Sequence, residues 1–227
     1  MWHRRIALAL ALLAVVLLAA SGLGVRAGLW PFRVGFGMFA GALLAGLGAV
    51  GAAGIALAVP RLRHQGWPAL VAALLIGAAC AAVPLDNLRR VKTLPYINDI
   101  TTDTERPPQF SEPKAYERHF AELQSIGYPQ LRALELPVPP AQAFARARDA
   151  LQAMDLEIVA ADERAGRLEA VATTQWFGFK DDVAVRIAPA GQGSRIDVRS
   201  KSRVGRSDLG TNAKRIQELL DRLAVAR

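Results

Sequence analysis

Ser194-Arg195-Ile196-Asp197-Val198-Arg199-Ser200-Lys201-Ser202-Arg203 alternates residue by residue. A strand sends successive side chains to opposite faces, so this run places Arg195, Asp197, Arg199, Lys201 and Arg203 on one face and Ile196, Val198, Ser200 and Ser202 on the other. One face is charged and the other is fit to pack. Working upstream, residues 182–188, 167–174 and 156–161 read as three further strands. Their connections are Pro189-Ala190-Gly191-Gln192-Gly193, Trp176-Phe177-Gly178-Phe179 and Asp162-Glu163-Arg164-Ala165-Gly166, short enough for antiparallel hairpins. Before them, Pro139 opens a helix of about four turns, with Phe144, Ala147, Leu151 and Met154 at helical spacing. After them, Ser207 or Asp208 can cap a final helix striped by Ile216, Leu219, Leu220 and Leu223. Helix, four-stranded meander, helix predicts a two-layer α+β domain: a four-stranded antiparallel sheet with two main helices across its apolar face.

The chain before this domain has a different chemistry. All 20 acidic residues lie after position 85, and residues 1–85 carry only six basic residues, all arginine. The uncharged runs 6–23, 34–59 and 67–85 are each near or above the ~18–20 residues a helix needs to cross hydrocarbon, which predicts three transmembrane helices. The expected organisation is therefore a transmembrane region over 1–85, an extended Pro/Thr/Asp-rich segment over 86–113 and the soluble α+β domain over 114–227. Arg4 and Arg5 flank the first run and favour an N-terminus in the cytoplasm, which puts the soluble domain in the periplasm of a multi-pass inner-membrane protein. Counting positives does not decide the matter, since Arg4, Arg5, Arg61 and Arg63 face Arg26, Arg33, Arg89, Arg90 and Lys92 across the membrane. The reverse orientation stays open, as does a secretory signal ending at Ala19-x-Ser21.

Residues 86–227 hold 22 basic against 20 acidic side chains, so the net charge of +8 comes mostly from the membrane-flanking arginines and gives no reason to expect nucleic acid as a partner. Cys80, the one cysteine, lies in the third apolar run and excludes an intrachain disulfide. Gly37, Gly41, Ala45, Ala49 and Ala53 recur at every fourth position, a ridge on which a second helix can pack in cis or in a homo-oligomer through Gly37, Gly41 and Ala45. In the 86–113 segment, Pro95, Pro107, Pro108 and Pro113 favour extended chain. Tyr96-Ile97-Asn98-Asp99-Ile100-Thr101-Thr102-Asp103-Thr104 is dense in side chains that bond nearby backbone, as ordered loops are. A short amphipathic helix over 114–124 would follow, with Tyr116, Phe120 and Leu123 on one side.

Ile97-Asn98-Asp99-Ile100-Thr101-Thr102-Asp103 with Pro107-Pro108, Trp176-Phe177-Gly178-Phe179-Lys180-Asp181-Asp182-Val183, and the run from Arg199 through Ser207-Asp208-Leu209-Gly210-Thr211-Asn212 together resemble the domain-of-unknown-function 1499 family. The resemblance covers about residues 94–225. It implies a bacterial or plastid protein, often with signal or membrane segments, and carries no reaction to any position.

On the residues themselves, Arg199, Lys201 and Arg203, extended by Arg206 toward the capped helix start at Asp208, form a basic strip suited to phosphate, sulfate or a carboxylate. The competing reading is internal pairing, with Asp99 and Asp103 pinning their loop to the sheet. Asp99, Asp103 and Glu105 lack EF-hand spacing and read as loop caps rather than cation ligands. His119, the only histidine after residue 85, has no nucleophile in a recognisable motif. Trp176, Phe177 and Phe179 read as packing or as pocket lining. The candidate ligand-binding residues are Asp99, Thr102, Asp103, Arg199, Lys201, Arg203, Arg206 and Asp208; no catalytic residue, metal or cofactor is assigned. The expected function is a membrane-anchored, non-enzymatic binding or interaction module whose partners are the bilayer and an anionic small molecule or a protein. The alternatives are an envelope hydrolase or metal-dependent enzyme using Asp99 and Asp103, and a structural subunit of a membrane complex.

Overall fold

Alanine and glycine, rather than leucine, line the contacts among the first helices. The protein is described here by a computed structural model over residues 2–64 and 66–225; the outer limits of the expected first and last domains, 1 and 227, lie outside the described residues. Helices α1 (Trp2–Arg26), α2 (Phe32–Ala58) and α4 (Trp67–Thr93) are long and apolar enough to cross a membrane, and α3 (Pro60–Arg63) is a single turn. Ala7, Ala11, Ala49, Ala53, Ala56, Leu70 and Ala73 form one buried cluster, and Ala14, Ala45 and Cys80 another. Such small side chains let backbones approach: a Cβ on Gly46 would stand 2.7 Å from the Gly77 carbonyl oxygen, and one on Gly77 2.7 Å from that of Gly46. Leu12, Leu44 and Leu75 point outward.

The four-residue ridge on α2 is divided in use. Ala45, Ala49 and Ala53 are buried within the chain, whereas a Cβ on Gly37 would meet no atom within 4 Å. Gly46→Leu is accordingly expected to cost about 1–3 kcal/mol of stability in detergent by overpacking, and Gly37→Leu nearly nothing; equal losses from both would disprove this division.

Two compact units account for the fold, one holding the residues up to Lys92 together with Gln175–Gly178, the other Thr93–Thr174 together with the residues from Phe179 onward. In the first, Trp176 Nε1 donates to Ser21 Oγ (3.3 Å) and Phe177 meets Phe36 and Phe39 edge-on, so these two aromatics serve packing. The segment expected to be extended from 86 begins instead as the last two turns of α4. Asp86 and Arg90 pair across one turn at 2.7 Å, and Arg90 and Lys92 suit the negative end of the helix dipole.

In the second unit the expected four strands are present, as β3 (Glu157–Asp162), β4 (Arg167–Thr173), β5 (Lys180–Ala190) and β6 (Gly193–Ser202), but the sheet has six strands rather than four. β1 (Asp99–Thr101) and β2 (Leu134–Leu136) lie antiparallel to different stretches of β6, Asp99 opposite Lys201 and Leu134 opposite Ile196, in the order β1-β6-β5-β4-β3. At three residues each they are too short for alternation to show in sequence; the free edge of β6 supplies what their own pattern cannot. The β3–β4 turn needs Gly166, whose φ is +63° and whose Cβ would lie 2.1 Å from the Ile187 carbonyl oxygen.

Helices α6 (Pro140–Ala153) and α7 (Thr211–Val225) cover the apolar face. Phe144, Ala147, Leu151, Ile216, Leu219 and Leu223 join Leu168, Val183, Val185, Ile187, Ile196 and Val198 in one core. A third helix, α5 (His119–Gly127), starts five residues later than the amphipathic pattern predicts. Lys114 is drawn away from it, its carbonyl accepting from Arg199 and its ammonium pairing with Asp182. Gln124 of α5 then acts on β1 as a neighbouring strand would, accepting from the Thr101 amide (2.9 Å) and donating to the Thr101 carbonyl (2.6 Å).

Candidate functional site

Strand register assembles the charged face. On β6, Arg195, Asp197, Arg199 and Lys201 share a side, and the pairing with β5 adds Asp182 and Arg186 to it. The chain from 102 to 116 crosses over this face and encloses Arg199 and most of Lys201, whereas Arg203 and Arg206, also expected to line the basic strip, stay exposed. Arg199 is fully buried. Its Nε and Nη2 donate to the two oxygens of Asp99 (2.9 and 2.8 Å), and the remaining donors reach the Pro108 and Lys114 carbonyls. The Phe110 and Tyr116 rings stand 4.9 and 5.6 Å from the guanidinium carbon. Burial pushes the Tyr116 hydroxyl up to about 12, with Asp99 adding to the shift and Arg199 opposing it. Lys201 shares Asp99, Nζ to Oδ2 at 2.7 Å.

Two further clusters flank this one. Asp103 accepts from the Arg106 amide (2.9 Å) and from Arg186 (2.8 Å), and Arg186 also reaches Asp197 (2.9 Å), which holds Arg195 (3.0 Å). Burial opposes ionisation of Asp103, yet the Arg106 amide and the Arg186 and Arg195 guanidiniums hold its carboxyl below the usual range. Asp182 is lowered in the same way: burial works against the charge, and Arg203 and Lys114 outweigh it. Arg203 donates to Asp182 Oδ1 through Nη2 at 2.6 Å. Thr102 extends the β1 ladder, its amide donating to the Val198 carbonyl and its hydroxyl accepting from the Val198 amide, both at 2.9 Å, while donating to Asp197 (3.3 Å).

The expected site residues thus fall into separate places. Asp99, Arg199 and Lys201 meet. Asp103 and Thr102 join Arg186 and Asp197, and Arg203 joins Asp182 and Lys114. Asp99 and Asp103 face different cations and do not converge on a common opening. Asp208 supplies the anion at the start of α7, its two oxygens accepting from the Gly210 (3.0 Å) and Asn212 (2.7 Å) amides. Burial raises the Asp208 carboxyl above its ordinary value, against the pull of those amides. Arg206 is exposed and makes no ion pair among the described residues. Among the described residues no group of three His, Cys, Asp or Glu side chains stands close enough to hold a metal ion.

Sequence reasoning missed Lys114, Asp182 and Arg186 as members of this face. The signal was present: Asp182 and Arg186 sit at even spacing on β5, as the charged residues of β6 do at odd positions.

A family model described as "Protein of unknown function (DUF1499)" matches residues 99–223. No curated protein matches the chain. Among solved structures, the crystal structures of TTHA0849 from Thermus thermophilus and of Ara h 8.0201 are similar at 13% identity, with TM-scores of 0.26 and 0.24, each over 41% of this chain and 95% of the other. Likenesses this slight carry no argument.

Proposed function

Because this chain belongs to the family described as protein of unknown function (DUF1499), whose description supplies no reaction to start from, we propose that it is a membrane-anchored binding module rather than a catalyst. Its soluble domain is displayed in the periplasm of a bacterial inner-membrane protein and recognises an anionic envelope ligand or a protein partner. One observation carries this reading: Asp99, Asp103, Asp182 and Asp197 are each held by arginine or lysine, while Arg203 and Arg206 keep exposed donors. Carboxylates engaged in this way are poorly placed to activate water or bind a cation. Self-association, in this proposal, runs along Gly37 at the open end of the α2 ridge, since an added Cβ on Gly41 would already stand 3.2 Å from Leu17 within the chain.

Two measurements test the proposal. Compartment reporters fused after Thr93 and at the C-terminus should report the periplasm. Full-length protein in zwitterionic nanodiscs should be stabilised against heat by inorganic phosphate or glycerol phosphate, as ligand linkage requires, with neither consumed. The stabilisation should vanish in Arg203→Gln/Arg206→Gln. Release of product from glycerol phosphate would overturn the binding reading in favour of a hydrolase.

A further inference from the structure

Where the chain leaves α4, separate segments converge on one pole of the second unit. Leu94 lies against Gly210, where an added Cβ would be 3.0 Å from Leu94 Cδ1, and Pro95 lies against Gly127 at the end of α5. Asn98 Nδ2 donates to the Gly205 carbonyl (2.6 Å), and the Asp208 amide to the Ile97 carbonyl (3.1 Å). This pole exposes Tyr96 (60%), Ile126 (75%) and Val204 (40%). Arg203 and Arg206 are exposed on the same turn, and the Arg203 amide donates to the Lys180 carbonyl at 3.1 Å, bringing a third cation alongside. The acids around Arg203 are largely engaged by other cations: Lys114 shares Asp182 and reaches Glu112, Arg215 holds Asp181, and Glu122 is the only acid on α5.

Chain length says what such a surface meets. Thr93 ends α4 and Leu94 already belongs to the pole, so only a few residues, about 10 Å of chain, can separate the pole from the end of that helix. The apolar run of α4 ends at Leu85, and the turns up to Thr93 rise about 12 Å if upright and less if tilted. That height is comparable to the headgroup layer plus a Debye length of about 8 Å. Exposed aromatic and aliphatic side chains mixed with arginine and lysine suit that layer: the cations meet phosphates and the apolar groups sit at the boundary.

We propose that this pole is a contact surface for the anionic phospholipid headgroups of the bilayer that α4 crosses, with Lys180, Arg203 and Arg206 on the phosphates and Tyr96, Ile126 and Val204 at the interface. The inference deepens the binding reading by naming the ligand, but it depends only on α4 crossing a membrane. A cytoplasmic reporter result would sink the periplasmic placement and leave it standing.

The test is hydrogen exchange of the Val204, Gly205 and Arg206 amides in the full chain, in nanodiscs of phosphatidylcholine alone or with about one-third phosphatidylglycerol. Exchange should be slower on the anionic discs, by roughly fivefold for each basic residue engaged. Arg206→Glu, which removes no described ion pair, should abolish most of that difference, and Ile126→Ser should weaken protection on both kinds of disc. Equal exchange on the two discs in the unsubstituted protein would overturn the proposal. Free inorganic phosphate on phosphatidylcholine discs should slow the same amides only partly, as a soluble stand-in for the headgroup; protection as large as on the anionic discs would overturn the proposal by assigning the pole to a soluble anion.

Discussion

Arg199→Ala is expected to remove about 3–5 kcal/mol from the unfolding free energy of the second unit, because it leaves the Asp99 carboxylate buried without its principal partner. Neither member of this pair is exposed to solvent, and the guanidinium also ties down the Pro108 and Lys114 carbonyls and fills the space between Phe110 and Tyr116. Lys201 still reaches Asp99, but one ammonium cannot replace a two-pronged guanidinium. The decisive comparison is the double variant Asp99→Asn/Arg199→Met, which removes both charges and keeps most of the volume. It should recover much of the loss in denaturant unfolding. Removing the exposed Glu218–Arg222 pair serves as the control, at about 0.3–0.5 kcal/mol. An Arg199→Ala loss no larger than that control would mean that the pair is not closed in solution.

Acidification below about pH 4 is expected to unfold the same domain cooperatively, with a steep fall in the thermal midpoint. Asp103 and Asp182 have folded carboxyls held below their ordinary value, so each contributes stability that is present above the unfolded value of about 3.9 and lost as pH falls through the folded one. Asp208 works in the opposite sense. Its folded carboxyl is raised, so its contribution is fully present below the unfolded value and is lost as pH rises through the folded one. Wild type and Asp103→Asn/Asp182→Asn should therefore differ in slope as well as in midpoint, the variant having the flatter acid limb. Parallel slopes would show that other carboxylates govern acid unfolding.

Much of the fold was legible because the packing face of β6 and the stripe of α7 are written in simple periods. Ile196 and Val198, and Ile216, Leu219 and Leu223, all lie in the core. Alternation also separated the charged side of β6 correctly, but it cannot say what lies over that side. Water and a covering strap ask for the same residue types until the partners are known, and the partners that enclose Arg199, namely Asp99 and the Pro108 and Lys114 carbonyls, lie 100, 91 and 85 positions away. The three-residue strands β1 and β2 escaped because pairing, not composition, makes them strands. The helical turns at 86–93 escaped because the apolar run ends at Leu85, whereas the helix itself continues to Thr93, with Asp86 and Arg90 paired across one turn.

The bond between Arg199 and Asp99 spans 100 positions of the chain, and β1 hydrogen-bonds to the last strand of the sheet. A ribosome delivers residues in order, so β1 and the strap that follows it are complete long before β6 exists to receive them. Through that interval Asp99 and the apolar Ile100 have nowhere to dock, and the edge of the sheet closes only when β6 itself has emerged. Long-range closure of this kind slows folding. A truncation that stops short of β6 should thus leave an unfolded, protease-sensitive segment after α4 rather than a smaller folded domain.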